Sequence, residues 1–321
     1  MAKDAFSRIP VIDLANLRSL SLTARKSLAG EVKRACMDVG FFYVENHGIP
    51  EDVITAVISA SRLFFSLPEE AKLKLDIRKN PAFKGYQPLL SSNNDPENMG
   101  DMHEGFEVGW EALDAESEAS KRDHDGVMAG ANVWPQESPS FRGAVLQYYH
   151  AAVGVGRLLF PIFALALDLP EGFFDDKTKN SAAIMKILHY PAQTGPVDDR
   201  VIGIGAHTEL IWTALQVLNQ DKKWIDAPPI PGTLVMNIGD QFSRWTNDVF
   251  KSTVHRAINR SGVERYSMPL FFGTDYDVKL VPIPSCITEG EPPKYPVVTA
   301  GDHVRERLEA AYSHHHDKKP S

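Results

Sequence analysis

A chain of 321 residues with 43% hydrophobic and 24% charged residues has a globular rather than a disordered composition, and it is long enough to bury a large core. Its formal net charge of -8 argues against nucleic acid or an anionic membrane as the main partner. Two cysteines, Cys36 and Cys286, cannot build a disulfide framework, and MAKDAFSRIP lacks the apolar core of a signal peptide, so an intracellular, cytoplasmic protein is expected.

In chain order, IPVIDL at 9–14 predicts a short strand, and 22–39 places apolar and charged residues at helical spacing. GFFYVENHGIP then gives an aromatic strand and a turn in which His47 is a turn residue, and a second helix is expected over about 51–66. Residues 88–140 are rich in Ser, Asn, Asp, Glu and Gly and read as a long loop with one ordered piece, HEGFEVGW at 103–110. In that loop His103, Glu104 and Phe106 are candidates to touch a substrate, with a structural role the equal alternative. Residues 141–168 return to helix; LLFPIFALAL at 158–167 is too short to span a bilayer and is expected to be a buried segment interrupted or kinked at Pro161. Beyond Ala182, short strands separated by Gly and Pro turns predict a sandwich or jelly roll. The tail SHHHDKKPS reads as a solvated end.

GIGAHTELIWTALQVLN reads as strand, and in a strand His207 and Glu209 share a face, side by side. His255 in STVHRAINR can complete a facial set of two histidines and one carboxylate, the arrangement suited to non-heme Fe(II), although an HxE with a distant His also fits a polar interruption of an ordinary strand. Downstream, Arg265 and Ser267 in ERYSMP again share a strand face. A guanidinium and a hydroxyl there can hold the far carboxylate of a small dicarboxylic acid whose other end chelates a metal; an Arg bonded within the sheet is the plainer reading.

Taken in order, IPVIDL, GFFYVENHGIP, FFSLPEEAK, LHYP, GIGAHT, LQVLN, PPIPGTLVMNIGD, RWTN, STVHRAINR and ERYSMPLFF resemble the isopenicillin N synthase-like family of Fe(II)/2-oxoglutarate-dependent oxygenases over nearly the whole chain. The resemblance implies a mixed α/β (α+β) protein with a double-stranded β-helix (jelly-roll) core and flanking helices. Its parts are an N-terminal dioxygenase-type region with a substrate lid over 1–140, helical support over 141–181, the jelly-roll core over 182–285, and a C-terminal extension with a mobile tail over 286–321. It further implies Fe(II), 2-oxoglutarate as cosubstrate, a small-molecule substrate and O2, without nucleic acid or membrane. The expected reaction oxidises an unactivated C–H bond, by hydroxylation, desaturation or cyclisation, with release of succinate and CO2. Carried over, His207 and His255 are iron ligands, Arg265 and Ser267 bind the distal carboxylate, and Tyr190 of LHYP sits near the cosubstrate.

Two departures stand out. Glu209 occupies the place of the family's Asp, one methylene longer. Where family members have a turn, a strand and a second turn before the LQVLN-like strand, Ala206 to Leu218 contains no Gly, Pro, Asn or Asp, so a strand-sized segment is missing. If the loss pulls the strand out of register, no side chain at 209 repairs it, and the sequence alone favours that outcome. Two other readings follow: a catalytically impaired or inactive binding protein of the same fold, and an oxidase in which Arg265 and Ser267 hold a substrate carboxylate instead of 2-oxoglutarate.

Overall fold

In a computed structural model the chain is described over residues 5–91, 101–113, 130–192, 204–207, 215–259, 263–290 and 292–313. Strand β1 (Val11–Asp13) pairs in parallel with β2 (Phe41–Glu45), and helix α1 (Leu22–Asp38) connects them. Ser21 caps α1 by accepting from Ala24 N–H at 3.3 Å. The chain leaves the helix through Gly40 at φ +76°, where a Cβ would lie 2.3 Å from the Lys251 carbonyl oxygen. Only glycine supplies both that conformation and that clearance. After β2, the His47 ring accepts from Ile49 N–H at 3.1 Å in the turn into α2 (Glu51–Phe65), which is followed by the short α3 (Glu69–Leu73).

Strands β3 (Gly85–Gln87), β4 (Glu104–Val108) and β5 (Ala183–Tyr190) form an antiparallel sheet that β11 (Arg265–Ser267) and β12 (Leu270–Phe272) complete along the free edge of β5. One face of this sheet is packed by helices. Met185 and Ile187 of β5, and Phe106 and Val108 of β4, join Phe141, Val145 and Tyr149 of α4 (Pro139–Ala166) in the main core. Helix α4 has 28 residues and runs without interruption through Pro161. The proline thus does not divide it as the sequence suggested. α4 is long and apolar enough to cross a membrane, but its apolar residues, Leu159, Ile162 and Phe163 among them, are core.

A second, four-stranded sheet has the order β6 (Ile204–His207), β10 (His255–Ala257), β7 (Leu215–Leu218), β8 (Trp224–Ala227). It faces the first sheet, because Ala257 of β10 packs against Leu188 and Tyr190 of β5. It also faces the β1–β2–β9 sheet, where Leu215 and Val217 meet Phe41, Tyr43 and Val235 of β9 (Leu234–Asn237). Two apposed layers of antiparallel strands with helices outside make the jelly roll. RWTN closes helix α5 (Asp240–Trp245), with Trp245 in the core and Asn247 donating to the Cys286 carbonyl at 3.4 Å. The last helix, α6 (Ala300–Ser313), lays Val304 and Leu308 against Ile184.

The stretch expected to run on as one strand is divided. β6 and β7 both pair antiparallel with β10, from opposite sides, and are therefore parallel to each other. A crossover between parallel strands ordinarily takes a dozen or more residues; here it is 208–214, which lies outside the described residues. β9 pairs with β2, and among the described residues no strand joins it to the β3–β4–β5–β11 sheet.

Candidate active site

Because successive strand residues alternate in direction, the face of the five-stranded sheet turned away from the helices is set by register. β5 and β11 pair Tyr190 with Arg265 and Leu188 with Ser267, so these four side chains share that face. Arg265 is buried, its guanidinium carbon 4.3 Å above the centre of the Tyr190 ring. Burial holds the guanidinium below its ordinary pKa and pushes the Tyr190 hydroxyl up, and the Arg–Tyr contact opposes both shifts. Arg265 stays cationic, since its ordinary value is far above neutrality. Asn259 fixes the approach to β11 by donating to the carbonyls of Pro191 at 3.1 Å and Val263 at 2.9 Å. The result is a cation and a hydroxyl held two residues apart on a rigid strand, geometry matched to a carboxylate.

His255 lies on the facing sheet, with its neighbour Ala257 against Tyr190. Its Nδ1 is 3.1 Å from the Thr253 carbonyl oxygen. A carbonyl only accepts, so Nδ1 carries the proton and Nε2 keeps the lone pair a metal requires. Phe41 packs edge-on to the imidazole with centroids 4.9 Å apart. The backbone of β6 pairs His207 directly with His255, and a one-residue irregularity follows between that pair and Ala257–Ile204. Bulges are common beside active sites. The slippage favoured on sequence grounds concerns the strand beyond His207, and Glu209 lies outside the described residues.

Of the substrate candidates, His103 is beside the site: it is buried, with its ring 5.5 Å from that of Tyr190. Phe106 is not. It stands on the helix face, stacked among Phe64, Phe141 and Trp134 with centroids 5.0, 5.2 and 6.1 Å away. The correction has a simple cause, since Phe106 is two residues from Glu104 and Val108 and shares their side of β4. Phe106→Ala is expected to cost about 3–5 kcal/mol of stability by denaturant unfolding, while the folded variant retains 2-oxoglutarate affinity. A lost affinity with unchanged stability would return Phe106 to the pocket.

Sequence reading also missed a buried ionic network on that helix face. Glu104 accepts from Lys72 Nζ at 2.6 Å and Tyr86 OH at 2.5 Å, and pairs with His189 Nδ1 at 2.8 Å. Burial pushes the Glu104 carboxyl up, but these three bonds outweigh it and hold the pKa below the ordinary value. His189 stacks on Tyr266 with centroids 4.8 Å apart, directly behind the Tyr190–Arg265 pair. The network ties α3 to the strands beside Arg265 and Ser267.

Comparison with known proteins agrees with this geometry. Residues 9–137 match the family described as non-haem dioxygenase in morphine synthesis N-terminal, and 182–274 match the 2OG-Fe(II) oxygenase superfamily. The chain is 34% identical over 320 residues to a 2-oxoglutarate-Fe(II) type oxidoreductase of Emericella nidulans, covering 94% of this chain and 90% of the relative. It is 33% identical over 308 residues to a homoarginine-6-hydroxylase of Glycine max, covering 88% and 90%. Among solved structures, a full-length Neurospora crassa protein in complex with alpha-KG and thymine superposes with a TM-score of 0.81 at 26% identity, over 94% of this chain and 96% of that one. With a histidine of one sheet facing an Arg–Ser anchor on the other, the chain belongs to the 2-oxoglutarate/Fe(II) oxygenases of the isopenicillin N synthase-like type.

Proposed function

We propose that the protein oxidises a C–H bond of a small polar molecule at a centre built from His207, Glu209 and His255, with 2-oxoglutarate held by Arg265, Ser267 and Tyr190. The observation that carries this reading is the placement of His255, its Nδ1 against the Thr253 carbonyl, on the layer facing Arg265 and Ser267. A bound Fe(II) supplies activation of O2 coupled to decarboxylation of 2-oxoglutarate to succinate and CO2. The chain's own residues do the remainder. Arg265 and Ser267 neutralise and orient the distal carboxylate, Thr253 fixes the His255 tautomer, and the apposed sheets exclude water from the reacting carbon.

Small polar substrates fit the thymine bound in the Neurospora crassa structure and the homoarginine for which the Glycine max enzyme is named. The acidic net charge supports a reading with neither nucleic acid nor an anionic membrane as partner, and the two cysteines fit a cytoplasmic enzyme. The test is succinate formation from 2-oxoglutarate with Fe(II) and O2. Absence of succinate with and without a panel of small polar molecules, from folded protein, contradicts the reading.

The backbone pairing of His207 with His255 brings two ligands of the proposed centre together, and Glu209 differs from the family's carboxylate by one methylene. Glu209→Asp is therefore expected to tighten Fe(II) binding severalfold and to raise succinate formation, since metal sites hold ligands within about 0.2 Å of ideal distances. Unchanged or lower values for both would show that the short 208–214 connection, not the extra methylene, limits the site.

A further inference from the structure

The face that carries Arg265 and Ser267 continues across β5 and β4 to β3. Register places Ser267 beside Leu188, Leu188 beside Gly105, and Gly105 beside Gln87, four positions in one row. Gln87 reaches along that face: its Oε1 is 3.7 Å from where a Cβ on Gly105 would stand, and the same Cβ would lie 3.1 Å from Leu188 Cδ2. Strand spacing puts the Gln87 end of the row roughly 14 Å from Ser267. That span accommodates a cosubstrate at one end and a small molecule at the other.

Gln87 is only 3% exposed, and among the described residues its carboxamide makes no hydrogen bond; nor do its polar atoms rank with the fully occluded ones. A buried amide in that condition is costly unless something binds it. Beside it on this face, Glu107 pairs with Lys186 at 2.9 Å, whereas the Gln87 side chain is uncharged. A carboxamide offers an N–H donor and a carbonyl acceptor side by side on one carbon.

From this we infer that Gln87 is a specificity-determining residue, which takes a neutral substrate group presenting an N–H and a C=O side by side, as a lactam or carboxamide does. The inference rests on the functional reading above and names the chemical class its substrate site prefers. Two probes test it on the full chain, loaded anaerobically with Fe(II) and 2-oxoglutarate: 2-pyridone and its N-methyl derivative, titrated by ligand-observed NMR. The wild type binds 2-pyridone roughly fivefold or more tightly than the N-methyl compound. Gln87→Met abolishes that preference while 2-oxoglutarate affinity is kept, and Gln87→Leu serves if the first variant does not fold. Equal binding of the two probes by the wild type, binding of neither, or a preference that survives in the variant overturns the inference. Failure of the wild type to bind 2-oxoglutarate instead strikes the functional reading beneath it.

Discussion

Replacing His255 with alanine is expected to abolish stoichiometric Fe(II) binding. Loss of a partner that merely orients a metal ligand costs roughly 10–100-fold in affinity, so loss of the ligand itself should weaken binding by at least about 100-fold. Two remaining protein ligands also make a poor site for an octahedral metal. His255 lies at the start of β10, where its imidazole contacts Phe41 and its Nδ1 is fixed by the Thr253 carbonyl. Thermal melting of the variant separates lost binding from lost folding, and His255→Gln gives a second, larger side chain at the same place. Anaerobic Fe(II) titration is the measurement. Tight one-to-one binding retained in both folded variants would remove His255 from the metal centre.

Arg265→Ala should separate the two ligands. Its guanidinium is buried against the Tyr190 ring and shares its sheet face with Ser267. A hydrogen bond to a charged group contributes about 1.5–3 kcal/mol, so 2-oxoglutarate binding is expected to weaken roughly 10–150-fold. Fe(II) affinity should change little, because the arginine stands on the opposite layer from His255. Arg265→Lys keeps the charge but not the two-pronged geometry and should recover only part of the loss. Isothermal titration with each ligand decides the matter. Parallel loss of iron and 2-oxoglutarate, or loss of neither, would mean that Arg265 is a structural residue of the sheet.

Local chemistry made some of this molecule readable and packing hid the rest. Helix α1 was legible because Ser21 and Gly40 punctuate it, and β11 because Arg265 and Ser267 alternate with the more exposed Tyr266. Strand β4 was not, because every one of its residues is buried. Where both faces of a strand are covered, alternation tells which residues go together but not which way they point. Phe106 was accordingly placed in the pocket, and the buried role of Glu104 had no sequence signal. Gln87 sits in a three-residue strand, too short for periodicity to show. The stretch after Ala206 that lacks turn residues falls largely outside the described residues; that β6 and β7 flank β10 emerged only from the pairing of strands far apart in sequence.

The reading of one Fe(II)/2-oxoglutarate centre between facing sheets is tested most directly by anaerobic spectroscopy. Fe(II) is added to the metal-free protein, then 2-oxoglutarate, and the visible spectrum is recorded after each addition. Chelation of Fe(II) by 2-oxoglutarate within the site should produce a weak charge-transfer band that saturates at one equivalent of each and is absent in His255→Ala. A band that never forms in folded protein, or that is as strong in His255→Ala as in the wild type, would contradict it.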